Sequence, residues 1–253
     1  FFAAILILVI GWIAAGWASR AVKGMSARTD KIDRTLGPVL GAITRYAILV
    51  LVIVAALGQL GVQTTSILAA LGAAGLAIGL ALQGTLQNIA AGIMLLFLRP
   101  FQVGDFIETA NATGVVKEIG LFATEFETLD GLYLLAPNSE VWGSPVTNYS
   151  RLPNRRFDLV VGIAYDDDIN KAFAAFEDIA ASHEKVLTDP EPFIYVSSLG
   201  DSAVEVTCRV WMSTADWWKT SRELIKIAKE RFDADGLSIP FPQRDVHLFK
   251  EEA

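Results

Sequence analysis

The sequence carries no Asp, Glu, Lys or Arg between Arg45 and Arg99. A gap of that length excludes an ordinary soluble domain and makes lipid the natural solvent for this half of the chain. Cysteine is nearly absent: Cys208 stands alone, so no intramolecular disulfide can form. The net charge is −7 and no basic stripe runs along the chain, which argues against nucleic acid as a partner. Only two histidines occur, His183 and His247, and neither has the Cys or carboxylate spacing of a zinc site. No phosphate-binding loop is present.

What remains is strongly apolar, with 53% hydrophobic residues, and the apolar part is concentrated at the front. The first run, Phe1 to Ser19, is uncharged and ends in Arg20 and Lys23. It lacks the basic leader and cleavage site of a secretory signal. Starting on Phe inside such a run, the chain reads as having a processed or partial N-terminus. A polar connection with Arg28, Lys31 and Arg34 leads to a second run over about 39–60, and a third extends from Ile67 to Leu98. Basic residues cluster after the first and third runs, while the turn "GVQTTS" between the second and third has none. By the positive-inside rule the N-terminus lies outside and everything after Arg99 lies in the cytoplasm.

From Phe101 onward short alternating segments with turn residues, "GDFIET", "TGVVKEI", "ATEFETLDG", "LYLLAPN" and "TNYS", predict a small all-β unit. After Pro153 the order is strand "RRFDLVVGIAY", helix "DINKAFAAFEDIAASHEKV", strands "PFIYVSSL" and "AVEVTCRVWM", helix "DWWKTSRELIKIAKERFDADG" and a last strand "RDVHLF". That βαββαβ order is ferredoxin-like. The expected fold is a membrane α-helical unit of three transmembrane helices, the third broken, followed by an all-β domain and a ferredoxin-like α/β domain. The boundaries are 1–98 (spans about 1–22, 39–60 and 67–83, interfacial helix 85–98), 99–151, 152–243 and 244–253.

The third apolar run raises its own question, because interior glycines each cost a helix roughly 1 kcal/mol relative to alanine. Wound at 100° per residue from Gly72, the residues Gly72, Gly75 and Gly79 fall together near roughly −30°. Ala70, Ala74, Ala77 and Ala81 fall opposite, near about 170°, with Leu76 and Leu80 between the two sets near roughly 60°. Leu71, Ile78 and Leu82 lie behind, near about 260°. A glycine ridge and an opposed alanine surface let identical helices pack side by side, face A on face B, and close into a ring. Leu76 and Leu80 would then point at the ring axis. Packing of small faces inside a monomeric bundle is the alternative, although three spans are few to enclose a pathway. Gln83-Gly84 divides the run, and beyond it Leu86, Ile89, Ile93 and Leu96 recur at the spacing of an interfacial helix.

These residues resemble the bacterial small-conductance mechanosensitive channel family (MscS). The likeness rests on "VQTTSILAALGAAGLAIGLALQGTLQNIAAGIMLLFLRPFQVGD", "LLAPNSEVWGSPVTNYSR", "VGIAYDDDI" and "FPQRDVHLF", and it covers essentially the whole chain. It implies a homoheptamer in the bacterial inner membrane, touching lipid and passing ions and small osmolytes on hypo-osmotic shock. It implies leucine rings at Leu76 and Leu80 as the pore constriction, a hinge at Gln83-Gly84 and a second bend at Gly92. It further implies a hollow cytoplasmic vestibule and an intersubunit barrel formed from Arg244 onward. Gln102 departs from the family's frequent second basic residue, which leaves Asp33 and Arg99 as a candidate loop ion pair, with a solvated Asp33 as the alternative.

No constellation for catalysis emerges. "YDDDI" before a helix reads as caps and dipole partners, Cys208 as a core residue of an alternating strand, and Trp211, Trp217 and Trp218 as packing residues. The expected protein is not an enzyme and needs no cofactor or metal. Other function classes are a membrane-anchored scaffold, a ligand-modulated channel and a transporter. A transporter should show ionisable groups or inverted repeats within the spans, and residues 46–98 have neither.

Overall fold

A computed structural model describes residues 1–26 and 36–249. The chain divides into two compact units, Phe1–Gly84 and Thr85–Ala253. In the first, helices α1 (Phe2–Ser26) and α2 (Leu36–Gln59) are each long and apolar enough to cross a membrane. They pack closely through small residues. A Cβ on Gly11 would lie 2.3 Å from the Val52 side chain, and one on Gly41 would lie 3.1 Å from the Ser19 carbonyl. These two meeting points make the pair antiparallel. Arg45 lies 6.0 Å from the Trp12 ring. After α2 the chain turns at Gly61, whose φ of +87° is open mainly to glycine. It then enters α3 (Thr65–Ala81).

The second unit begins in helix α4 (Gln83–Leu98). Five short strands follow: β1 (Phe106–Glu108), β2 (Thr113–Ile119), β3 (Ala123–Glu127), β4 (Tyr133–Pro137) and β5 (Thr147–Asn148). They form an antiparallel sheet in the order β4-β3-β2-β1-β5. The one-turn helix α5 (Asn138–Trp142) lies between β4 and β5. Phe101, Ile107, Val116, Phe126 and Val141 are buried together with Leu95 of α4, so the end of α4 is built into the core of this domain.

An α/β domain completes the chain. Strands β6 (Asn154–Ile163), β7 (Phe193–Leu199) and β8 (Val204–Ser213) make a sheet of order β6-β8-β7, and α6 (Ile169–Ser182) and α7 (Trp217–Ala234) pack on it. Period-two alternation in β8 places Val204, Val206, Cys208, Val210 and Met212 against Phe176, Leu224 and Phe232. Burial pushes the Cys208 thiol up to about 12. Asp168 caps α6 by accepting from Asn170 N–H at 2.9 Å, and Gly236 at φ +70° closes α7. On the sheet, Arg209 grips the Asp158 carboxylate with two hydrogen bonds of 2.9 and 3.0 Å. That donation holds Asp158 below the usual carboxylate range. The strand expected at "RDVHLF" is not formed: residues 237–249 take no regular element, and Phe241, Val246, Leu248 and Phe249 are exposed. Among the described residues the α/β sheet therefore has three strands instead of four.

Candidate functional site

Helix α3 has no buried residue. Leu76 and Leu80 are 66% and 63% exposed, and every residue from Gly72 to Gln87 is exposed. An ideal Cβ at Gly72, Gly75 or Gly79 would meet nothing within 4 Å. No contact among the described residues therefore explains three interior glycines. Lipid does not explain them either, since acyl chains accept large side chains as readily as small ones. A helix apolar on every side belongs in a core or in lipid, and small residues are useful where another backbone must come close. Ala70, Ala74, Ala77 and Ala81 present the complementary smooth surface, equally open. On the face expected to meet the other spans, Leu71 borders an apolar groove of about 740 Å³ with Val39, Ile43, Tyr46 and Val50 of α2. Ile78 and Leu82 on the same face remain exposed.

The break lies one residue earlier than expected. Helix α3 ends at Ala81, Leu82 is the non-helical residue with φ −94° and ψ 1°, and Gln83 and Gly84 already belong to the first turn of α4. The two helices form a bent pair apolar enough to count as one broken span. Gly84 adopts no conformation closed to other residues, and a Cβ there would meet nothing within 4 Å.

Gly92 is not a bend in this structure. Helix α4 runs through it unbroken, and a Cβ there would come 2.5 Å from Asn138 Nδ2 and 2.7 Å from the Leu121 carbonyl. The missing side chain is what lets α4 lie on the β domain. Asn138 is fully buried; its Nδ2 donates to the Gly120 carbonyl at 2.9 Å, and its Oδ1 accepts from Thr124 at 2.8 Å. One turn earlier on α4, Asn88 Oδ1 accepts from Ser139 N–H at 2.9 Å. Sequence reasoning singled out none of Asn88, Asn138 and Ser139. An amide on an otherwise apolar helix face was the available signal that a polar partner existed.

At the end of α4, Arg99 takes φ +48°, a left-handed conformation that disfavours side-chain-bearing residues by roughly 1 kcal/mol. The corner is held by Arg151, whose Nη1 donates to the carbonyls of Pro100 at 2.8 Å and Arg99 at 3.3 Å. Sequence reasoning missed Arg151. Asp33, the candidate partner of Arg99, lies outside the described residues.

Four family models match successive segments. They describe a conserved transmembrane helix of mechanosensitive ion channels (residues 1–30), their transmembrane helices 2/3 (42–83), their beta-domain (84–151) and the MscS C-terminal region (157–239). A small-conductance mechanosensitive channel of Edwardsiella ictaluri is 42% identical over 249 residues, covering 98% of this chain and 86% of that protein. The chain belongs to the MscS family of mechanosensitive channels. A Helicobacter pylori family protein is 32% identical over 99% of this chain and 90% of its own length. The crystal structure of Helicobacter pylori MscS in its closed state matches with a TM-score of 0.85 at 31% identity, over 99% of this chain and 98% of that one. Arabidopsis thaliana MSL1, at 24% identity and a TM-score of 0.77 over 94% and 87% of the two chains, shares the fold. This MscS-family chain is thus a membrane protein of a channel family, not of an enzyme family.

Proposed function

We infer that this chain is one subunit of a homo-oligomeric channel opened by membrane tension, which releases ions and small osmolytes when the cell swells. The observation that carries the reading is α3: an apolar helix exposed on all sides, with an open glycine ridge opposite an open alanine surface. Seven copies packed ridge on surface would turn Leu76 and Leu80 inward as two rings narrow and apolar enough to exclude water. A ring that widens increases its area in the membrane plane, so tension does more work on the open state and shifts the population toward it. No reaction enters this mechanism and no cofactor serves it. The lipids around α1 and α2 deliver the force.

The distribution of Lys and Arg supports placement in the bacterial inner membrane with the N-terminus periplasmic and the β and α/β domains cytoplasmic. Exposed Val246, Leu248 and Phe249 support the expected C-terminal strand pairing with other copies over residues 244–249; positions 250–253 of that expectation lie outside the described residues. Patch recording of the purified protein in lipid vesicles tests the function. Step currents that appear with suction and vanish on release are expected. Currents independent of suction would exclude tension gating.

A further inference from the structure

Residues 149–157, "YSRLPNRRF", run from the β domain into the first four residues of β6, and by composition residues 149–153 read as an ordinary interdomain linker. The structure gives them another character. The guanidinium of Arg155 lies between two rings, 4.8 Å from the centre of Tyr149 and 3.8 Å from the centre of Trp217. Tyr149 belongs to the β domain: its N–H donates to the Phe106 carbonyl at 3.0 Å, and its hydroxyl donates to Glu108 of β1. Trp217 opens α7 of the α/β domain, and its Nε1 donates to the Arg156 carbonyl at 3.0 Å. Phe157 meets Trp217 edge-on at 6.1 Å. Between these contacts Thr214 N–H donates to the Pro153 carbonyl at 2.8 Å, and Arg151 reaches back to the carbonyls of Arg99 and Pro100.

A flat guanidinium held against two rings is attracted to both by cation–π contact, which offsets part of its desolvation, and a lysine would not reproduce its planar packing. We propose that residues 149–157 are a rigid strut, pinned by Arg151 at the exit of α4 and by Arg155 between Tyr149 and Trp217. Movement of the Arg99–Pro100 corner is thereby carried to the α/β domain. The transmission clause rests on the channel reading above; the rigidity clause does not.

The test uses the full chain in lipid nanodiscs. Amide exchange at Tyr149 and Thr214 should be at least about tenfold slower than at Asp201 and Ser202 of the β7–β8 turn. Equal rates would overturn the strut at once. Arg155→Lys keeps the charge and loses the stacking face, whereas Trp217→Leu removes one ring. Both should raise exchange at Tyr149 and Thr214 about fivefold while leaving Val206 to Val210 of β8 unchanged. Should Trp217→Leu also release β8, it has lost its core, and Arg155→Lys alone decides. Unchanged exchange in Arg155→Lys would overturn the pin. In patches, Arg155→Lys should shift the midpoint tension and keep the unit conductance. Faster exchange with an unshifted midpoint would overturn transmission. A wild-type protein that passes no current would instead overturn the channel reading, with exchange still judging the strut.

Discussion

Leu80, nearly two-thirds exposed on a helix apolar all round, has no packing role within its own chain. Its value has to come from what faces it in the assembly. If Leu76 and Leu80 form the rings, replacing either with Ser puts a hydroxyl where water must otherwise be excluded, and wetting becomes easier. The expected outcome is a lower opening tension for Leu76→Ser and Leu80→Ser. Patch recording against the protein without the change measures it, and equal thresholds in both variants would move the constriction elsewhere. Gly92 is the opposite case, a residue whose role is complete within one chain. A methyl there collides with Asn138 Nδ2 and with the carbonyls of Leu121 and Gly120. Two of these three atoms are backbone and cannot swing aside. Gly92→Ala should force α4 off the β domain, strain the Asn138 hydrogen bonds and destabilise the unit by about 1–3 kcal/mol. Thermal unfolding followed in detergent would show this as a lower midpoint; an unchanged midpoint would mean that α4 can shift without loss.

Helix α4 shows where a sequence is informative about an element and where it is not. Its apolar period and its limits near Gln83 and Leu98 follow from local spacing, as do the strands of both sheets and the Asp168 cap. What α4 rests on does not, because Asn88 meets Ser139 across 51 positions of chain and no local pattern encodes that pairing. The bend that the family resemblance implied at Gly92 is absent from this structure, where α4 runs through the glycine unbroken and uses it as a contact. The segment "RDVHLF" alternates as a strand should, yet alternation does not choose a partner: β6 and β7 each keep an outer edge, and residues 244–249 form no strand on either. Gln83-Gly84 was informative to within one residue: the break falls at Leu82, which no propensity marks. Gly84 is helical in this structure and a Cβ there would meet nothing within 4 Å, so Gly84→Ala should fold normally. Alanine disfavours any state in which residue 84 leaves the helix by roughly 1 kcal/mol per subunit, multiplied over the ring. The expected result is slower decay of current under sustained tension with unit conductance unchanged. Holding tension constant and comparing decay and recovery in the two proteins measures it; identical kinetics would leave Gly84 as part of a structural break only.

At the scale of the whole molecule, charge and packing make separate demands that one assembly has to meet together. If the domains after Arg99 lie in the cytoplasm, as the charge distribution supports, a cysteine at exposed Ser182 should react in intact cells only with a membrane-permeant reagent. Efficient labelling by an impermeant one would invert the topology. The packing demand is stricter. In lipid, an α3 that is apolar, exposed and ridged with glycine gains from other helices coming close to that ridge, and the backbone distance is set by the largest side chain between them. Gly79 lies on the ridge beside Leu80, and among the described residues a Cβ there meets nothing within 4 Å beyond its own stretch of helix. Gly79→Leu therefore leaves the subunit's own contacts untouched and acts only between copies. A branched side chain there would hold the neighbouring alanine surface away and open a gap along the whole contact. Gly79→Ala, adding one methyl, should perturb the ring far less. Native mass measurement in detergent should find fewer complete rings for Gly79→Leu than for Gly79→Ala, with circular dichroism unchanged in both. Patch currents from Gly79→Leu should be missing or altered in threshold. Complete rings with ordinary currents in Gly79→Leu would mean that the glycines of α3 do not set the distance between neighbours, and the ring would have to be held by other surfaces.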